Sequence, residues 1–340
     1  MKVNQNKLVA KAFQDCKARA IKKIKYCFVP GCNEKSINSH ILQRNGILST
    51  IAEESHVMQL EINQFREPNI FFNRVGLKEA FSFNCFCNNH DTELFKNIET
   101  ADIDFTNYKN RLLFTLRTIY NEKFRKLVNI DVYQCLTDNH SDKFDIEILK
   151  EKSFTDNLGL EDIVRTENLI WNDLNNNTES FVFKIREIEY KEICLSAFYN
   201  YETSEELQFY IMMNRKHKEE VIDIFVNLFP YKNKSVFMMG YKKSEEKEVI
   251  NYINNFFKGN EDVLESRITN LMMFQCETWA ISNSFYKKRI FGNDNIFKYA
   301  VNFSANNYNE RLFFDINIFK DDFITKFNLF KKEKRLLNKN

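Results

Sequence analysis

The sequence predicts an α+β protein: a zinc-stapled module with flanking helices, then an antiparallel sheet packed by helices. Three observations predict it. Cysteines and histidines at chelating spacing gather between residues 27 and 90. Apolar runs of strand length follow one another from 181 to 241. Segments of helical periodicity lie on either side of both regions.

Composition sets the bounds. The chain has 340 residues, 44% of them hydrophobic and 28% charged, the balance of a chain that buries a core. Phe is over-used at 34 residues, while Gly (7) and Pro (3) are scarce, so domains should pack closely rather than hang on flexible linkers. The net charge of +2 excludes nothing, but its distribution is uneven. Residues 1–26 hold eight Lys/Arg and one acid, Asp15, and the C-terminal "FKKEKRLLNKN" is also basic. No apolar run approaches the roughly 20 residues of a membrane span. No secretory signal opens the chain, so a cytoplasmic location and reduced thiols are expected.

In chain order, residues 4–25 read as a basic amphipathic helix with Leu8, Ala12, Ala18 and Ile21 on its apolar side. Residues 27–100 carry the Cys/His constellation on short elements. Residues 106–128 form a helix whose buried stripe is Leu112, Leu116, Ile119 or Tyr120, and Phe124, with Arg111, Lys123 and Lys126 toward water. Residues 140–176 are polar and should hold one or two short helices. "SFVFKIREIEY", "EICLSAFYNYE", "LQFYIMM", "VIDIFVNLFP" and "KSVFMMGY" then give a meander of four or five strands, with a turn at "PYKNK". "SEEKEVINYINNFF" is a helix with a Ser N-cap, and another should span 261–285. The domain reading is 1–130 for the metal module, 131–177 for a helical connector, and 178–340 for an α+β domain of sensing or partner-binding role.

The chemistry sits in "CFVPGCNEKSINSH" (27–40) and "FNCFCNNHDTELF" (83–95). Zinc takes four tetrahedral ligands from thiolate and imidazole. Cys27 and Cys32 are separated by four residues, with Pro30-Gly31 supplying the bend. Cys87 and His90 form a C-x2-H pair. Cys85 is a rival to Cys87, and His40 a rival fourth ligand.

These two segments resemble the zinc-knuckle variant of the HNH, or ββα-metal, nuclease family. The resemblance covers residues 27–95. It implies structural zinc on Cys27, Cys32, Cys87 and His90, His40 as the general base, and Asp91 where the family places its last ligand to a catalytic Mg or Mn. Ser39 and Gln43 depart from the family pattern, and its middle Asn has no counterpart. The implied activity is metal-dependent endonuclease cleavage, of the kind bacteria use against invading DNA. DNA would be gripped at its phosphates by Lys22, Lys23, Lys25, Arg111 and Arg117. The alternative is a non-catalytic zinc-stapled module that binds protein or nucleic acid. "CETWAISNSFYKKR" offers Trp279, Phe285 and Tyr286 either as base-stacking aromatics or as core.

Overall fold

The computed structural model describes residues 2–63, 69–201, 221–293, 295–307 and 313–337. Contacts divide the chain into two compact units: 1–42 with 81–179, and 43–80 with 180–340. Residues 43–80, which the sequence reading assigned to the metal module, thus belong to the second unit. Residues 131–177 form no connector; they belong to two long helices of the first.

In the first unit, α1 (Lys2–Lys23) packs on α2 (Tyr108–Asn139). The seam differs from the expected one. Ala12, Cys16 and Ala20 are buried four residues apart, whereas Leu8 is half exposed. Small side chains on one helical face let two helix backbones approach closely. Val128, Val132 and Leu136 of α2 complete this core, and a Cys16–Cys135 disulfide crosses it. The reduced state expected of the cysteines therefore does not hold for this pair.

Helix α2 is longer than its apolar stripe suggested, and residues 112–120 are buried on all sides. Asn107 caps it, accepting from the backbone N–H groups of Lys109 and Asn110. The polar stretch after it forms a single helix, α3 (Ile146–Asn176), capped by Asp145 and ended by Asn177 in the left-handed region. Lys123 and Lys126, expected to face water, are instead mostly buried and pair with Glu167 and Asp156 of α3. Between α1 and α2 lie β1 (Ile37–His40), β2 (Ser82–Phe86), antiparallel to it, and the short α4 (Asn88–Glu93). This is a β-β-α order.

Among the described residues, the second unit is built on a seven-stranded antiparallel sheet. Its strands are β3 (His56–Ile62), β4 (Ile70–Gly76), β5 (Phe181–Glu189), β6 (Ile193–Asn200), β7 (Asp223–Tyr231), β8 (Lys234–Lys242) and β9 (Trp279–Ile281), in the spatial order β4-β3-β9-β6-β7-β8-β5. The meander is real for β6-β7-β8, but β5 pairs with β8 rather than β6, a Greek-key-like return. The run "LQFYIMM" lies outside the described residues. The expected turn joins β7 to β8 through Lys232-Asn233, with Lys232 at φ 54°. Gly240 stands opposite Phe183; a Cβ there would meet the ring at 2.6 Å, so only glycine lets β5 close on β8.

Alternate residues explain the core. Ile193, Leu195, Ala197 and Tyr199 of β6 share one face with Ile224, Val226 and Leu228 of β7. That face packs against α5 (Glu246–Phe257), α6 (Glu261–Phe274), α7 (Asn283–Arg289) and α8 (Asn295–Asn307). A final helix, α9, spans Phe323–Leu337. The helix expected over 261–285 breaks after Phe274, because Trp279–Ile281 fills the gap between β3 and β6. Trp279 is fully buried and packs edge-on against Phe72, so it is core and not a base-stacking surface. The expected Ser N-cap of α5 makes no cap either: that helix starts at Glu246 without a side-chain cap bond.

Glu265 anchors this unit. It is 3% exposed, pairs with the buried Lys191, and accepts from Asn317 Nδ2 at 2.9 Å. Removing one partner of a buried ion pair leaves the other charge uncompensated. Glu265→Ala should therefore cost about 3 kcal/mol, since Lys191 keeps Glu261 at 3.1 Å. Urea denaturation followed by circular dichroism measures it; a loss under ~0.5 kcal/mol would remove the anchor role.

Candidate metal centre

The first half-site is a knuckle. Val29 C=O accepts from Cys32 N–H at 3.0 Å across Pro30-Gly31, and Gly31 has φ 78°. Pro at the second and a left-handed Gly at the third position is the signature of a type II turn. Cys27 N–H donates to Glu34 C=O at 2.9 Å, which closes the loop. The second half-site is where β2 becomes α4: Cys87 is the residue before the helix and His90 lies in its first turn. Phe28 N–H donates to Cys85 C=O at 2.7 Å and ties the knuckle to β2.

The ligand atoms of Cys27, Cys32, Cys87 and His90 all lie within 4.8 Å of one another. His90 Nδ1 is 3.4 Å from Cys27 Sγ and 3.2 Å from Cys87 Sγ, and Cys32 Sγ is 3.9 Å from Cys87 Sγ. A tetrahedral zinc with bonds near 2.3 Å to sulfur and 2.0 Å to nitrogen would set edges of roughly 3.8 and 3.5 Å. The observed edges match, so the quartet can hold a metal ion and its donor set suits zinc. Neither rival belongs to it. β2 ends at Phe86, so the alternation that would have placed Cys85 beside Cys87 stops there. Burial pushes the Cys27 thiol up to about 11. Burial also raises Cys87, but the His90 backbone N–H and the neighbouring thiols outweigh it and leave that thiol lowered.

His40 and Asp91 lie outside the quartet. His40 ends β1 and Asp91 sits in the first turn of α4, near enough that the His40 charge acts on the Asp91 carboxyl. Burial raises that carboxyl above its ordinary value, against the pull of Arg117. Below it is a polar cluster not anticipated from sequence. Cys85 is fully buried, and burial holds its thiol well above the ordinary range. The Ser39 hydroxyl, also buried, lies against both Cys85 and Asp91. Arg117 pairs with Glu99 at 2.5 Å and stacks over the Phe95 ring at 4.0 Å. With Arg117 1% exposed, the expectation that it grips phosphate is corrected. The signal was present: Arg117 interrupts "LLFTLRTIY", where every neighbour is core.

Does this region suit a second cation? Asp91 Oδ1 is buried and accepts no hydrogen bond. Two carboxylates, Asp91 and Glu99, face one guanidinium, which leaves one negative charge over. Among the described residues, the Cys27/Cys32/Cys87/His90 quartet is the group of three or more metal-ligating side chains that could hold an ion; what the Asp91 region offers is one unbonded carboxylate oxygen.

Of the other residues expected at phosphate, Lys22 and Lys25 are exposed and Lys23 pairs with Asp131 at 2.9 Å. Arg111 donates to Thr106 C=O at 2.8 Å. Among the described residues no helix is long and apolar enough to cross a membrane. No protein-family model matches the chain, and comparison with curated proteins and with solved structures returned no match.

The knuckle is wired to the helices. Tyr120 OH donates to Glu167 Oε1 at 2.6 Å, lies 3.2 Å from Phe28 C=O, and accepts from Trp171 Nε1 at 2.9 Å. Trp171 thus sits one hydrogen bond and one 3.2 Å polar contact from the residue next to Cys27. Chelation of a bound metal should shift Trp171 emission to the red as the knuckle loosens. A Trp279→Phe background isolates the signal; unchanged emission while the metal leaves would show that this chain of bonds carries nothing.

Proposed function

We propose that the first unit is a ββα-metal type endonuclease module, stapled by zinc on Cys27, Cys32, Cys87 and His90. The observation that carries this reading is that His40, at the end of β1, and Asp91, in the first turn of α4, lie outside the quartet and near enough for the His40 charge to act on the Asp91 carboxyl. A structural ion leaves the reacting groups to other side chains, and these two lie where the β-β-α order puts them.

His40 serves as general base. It is half-buried, so it can reach a water at the surface and draw off its proton as that water attacks phosphorus. A Mg or Mn ion held in part by Asp91 would supply charge stabilisation at the phosphate and the leaving oxygen. Lys7, Lys11 and Lys22 are exposed on the side of α1 away from its seam with α2, with Asp15 between them, and they offer the DNA backbone three positive charges.

The test is nicking of supercoiled plasmid by the zinc-loaded protein with added Mg or Mn. Cleavage that needs the added ion supports the reading. A protein that never nicks under either ion belongs to the non-catalytic class of zinc-stapled binding modules.

A further inference from the structure

The buried guanidinium under the candidate reaction site has a charge arrangement that goes beyond packing. One nitrogen of Arg117, Nη2, faces two carboxylates at once. It is 2.5 Å from Glu99 Oε1 and 3.8 Å from Asp91 Oδ1. The first is a charge-assisted hydrogen bond; the second is too long to be one. Asp91 Oδ1 is therefore left buried with no donor, and Arg117 Nε is likewise buried and unbonded. Buried polar atoms without partners are uncommon and mark a place where something else binds or where an atom moves. Here the two orphans belong to residues of opposite charge that stand next to each other.

The guanidinium is not free to leave. Phe95 lies under it at 4.0 Å, and its side chain is 2% exposed. What it can do is share itself differently between two acids within reach. Leaning on Glu99, as seen, it releases Asp91. Moving the short distance to Asp91, it would satisfy Oδ1 and occupy the carboxylate. We propose that Arg117 and a divalent cation compete for Asp91, and that Glu99 holds the arginine back so that the cation can bind. Arg117 is a regulating neighbour of the site, not a group that touches substrate. This inference rests on the reading of Asp91 as a cation ligand.

The proposal makes two substitutions act in opposite directions. Arg117→Met removes the competitor, so Asp91 should bind a divalent cation more tightly. Glu99→Gln removes the restraint, so Arg117 closes on Asp91 and binding should weaken. A purely structural role for the trio would move both variants the same way, toward looser binding, and a charge effect without movement of Arg117 would leave Glu99→Gln weakening in the Arg117→Met background too, where competition predicts no further change. The probe is Mn, titrated into full-length zinc-loaded protein and followed by its electron paramagnetic resonance signal. Zinc content and melting temperature are recorded for each protein. The expected result is a Kd at least tenfold lower for Arg117→Met and at least tenfold higher for Glu99→Gln, with one zinc retained in each.

Kd values that agree within twofold across the three proteins, or that move in the same direction, overturn the proposal. So does the absence of Mn binding in all three. If Arg117→Met does not fold, Glu99→Gln decides alone: weaker binding at unchanged zinc supports the competition, and equal or tighter binding ends it. Plasmid nicking by the same parent separates this from the nuclease reading. Nicking with unmoved Kd values leaves the nuclease and sinks the competition. Opposed shifts in a parent that never nicks leave the competition and sink the nuclease.

Discussion

Cys87→Ser should yield a protein with no bound zinc and a first unit unfolded around the metal site, while the second unit keeps its cooperative transition. The size of the effect follows from what a metal contributes to a small module. Structural zinc binding is worth on the order of 10 kcal/mol or more, and that free energy is folding free energy when the site does not exist in the unfolded chain. Domain stabilities are about 5–15 kcal/mol, so losing the ion removes most of what is available. Cys87 is the sharpest place to test it. It is 4% exposed, it lies beside Cys32 and His90, and it marks the change from β2 to α4. Elemental analysis should give one zinc per parent chain and none for the variant, with two calorimetric transitions reduced to one. Parent protein that holds less than about half an equivalent of zinc would refute the staple. The α1–α2 seam, clasped by Cys16–Cys135, sets a limit on the loss: those helices should keep part of their far-ultraviolet signal.

His40→Ala should reduce plasmid nicking by about 10²–10⁴-fold, the usual contribution of a positioned general base. Zinc content and melting temperature should stay at the parent values. The separation is the informative part. His40 is outside the quartet, so its loss removes no ligand. It is half-buried at the end of β1, so its loss opens no large cavity. If His40→Ala instead lowers zinc occupancy and melting temperature together, His40 is a ligand and the division of labour fails. Asp91→Asn makes the companion measurement. It should weaken dependence on Mg or Mn and leave zinc untouched.

The quartet was legible because each half-site is local. Four residues between Cys27 and Cys32, and two between Cys87 and His90, bring donors to one point whatever the rest of the chain does. The β strands after 180 were legible for a similar reason, since a period of two reports one buried face. What sequence could not show depended on partners far apart. The core neighbours of Arg117 in the sequence mark it as buried, but which acids neutralise it shows only when Glu99 and Asp91 are seen around it. β9 is three residues long, too short for any period, and exists because β3 and β6 leave a place for it. Leu8 outranks Cys16 in hydrophobicity, yet the α1 seam chose the smaller side chains because close approach mattered more than apolar area.

The excursion through residues 43–80 has a consequence for how this chain is made. At the ribosome, Cys27 and Cys32 are the first two of the four ligands to emerge, and they wait as exposed thiols until Cys87 and His90 follow. The β3–β4 hairpin appears in the meantime, and two strands alone are marginal in water. Its inner edge stays open until Trp279–Ile281 arrives to cover it. Both units are therefore discontinuous in synthesis order, and the larger one cannot finish until most of the message has been read. A chain stopped before residue 279 would carry an uncapped strand edge, the kind of surface that recruits other nascent chains. Between the first zinc ligand and the last strand of the sheet, from residue 27 to residue 281, the growing chain carries unfinished surface from both units.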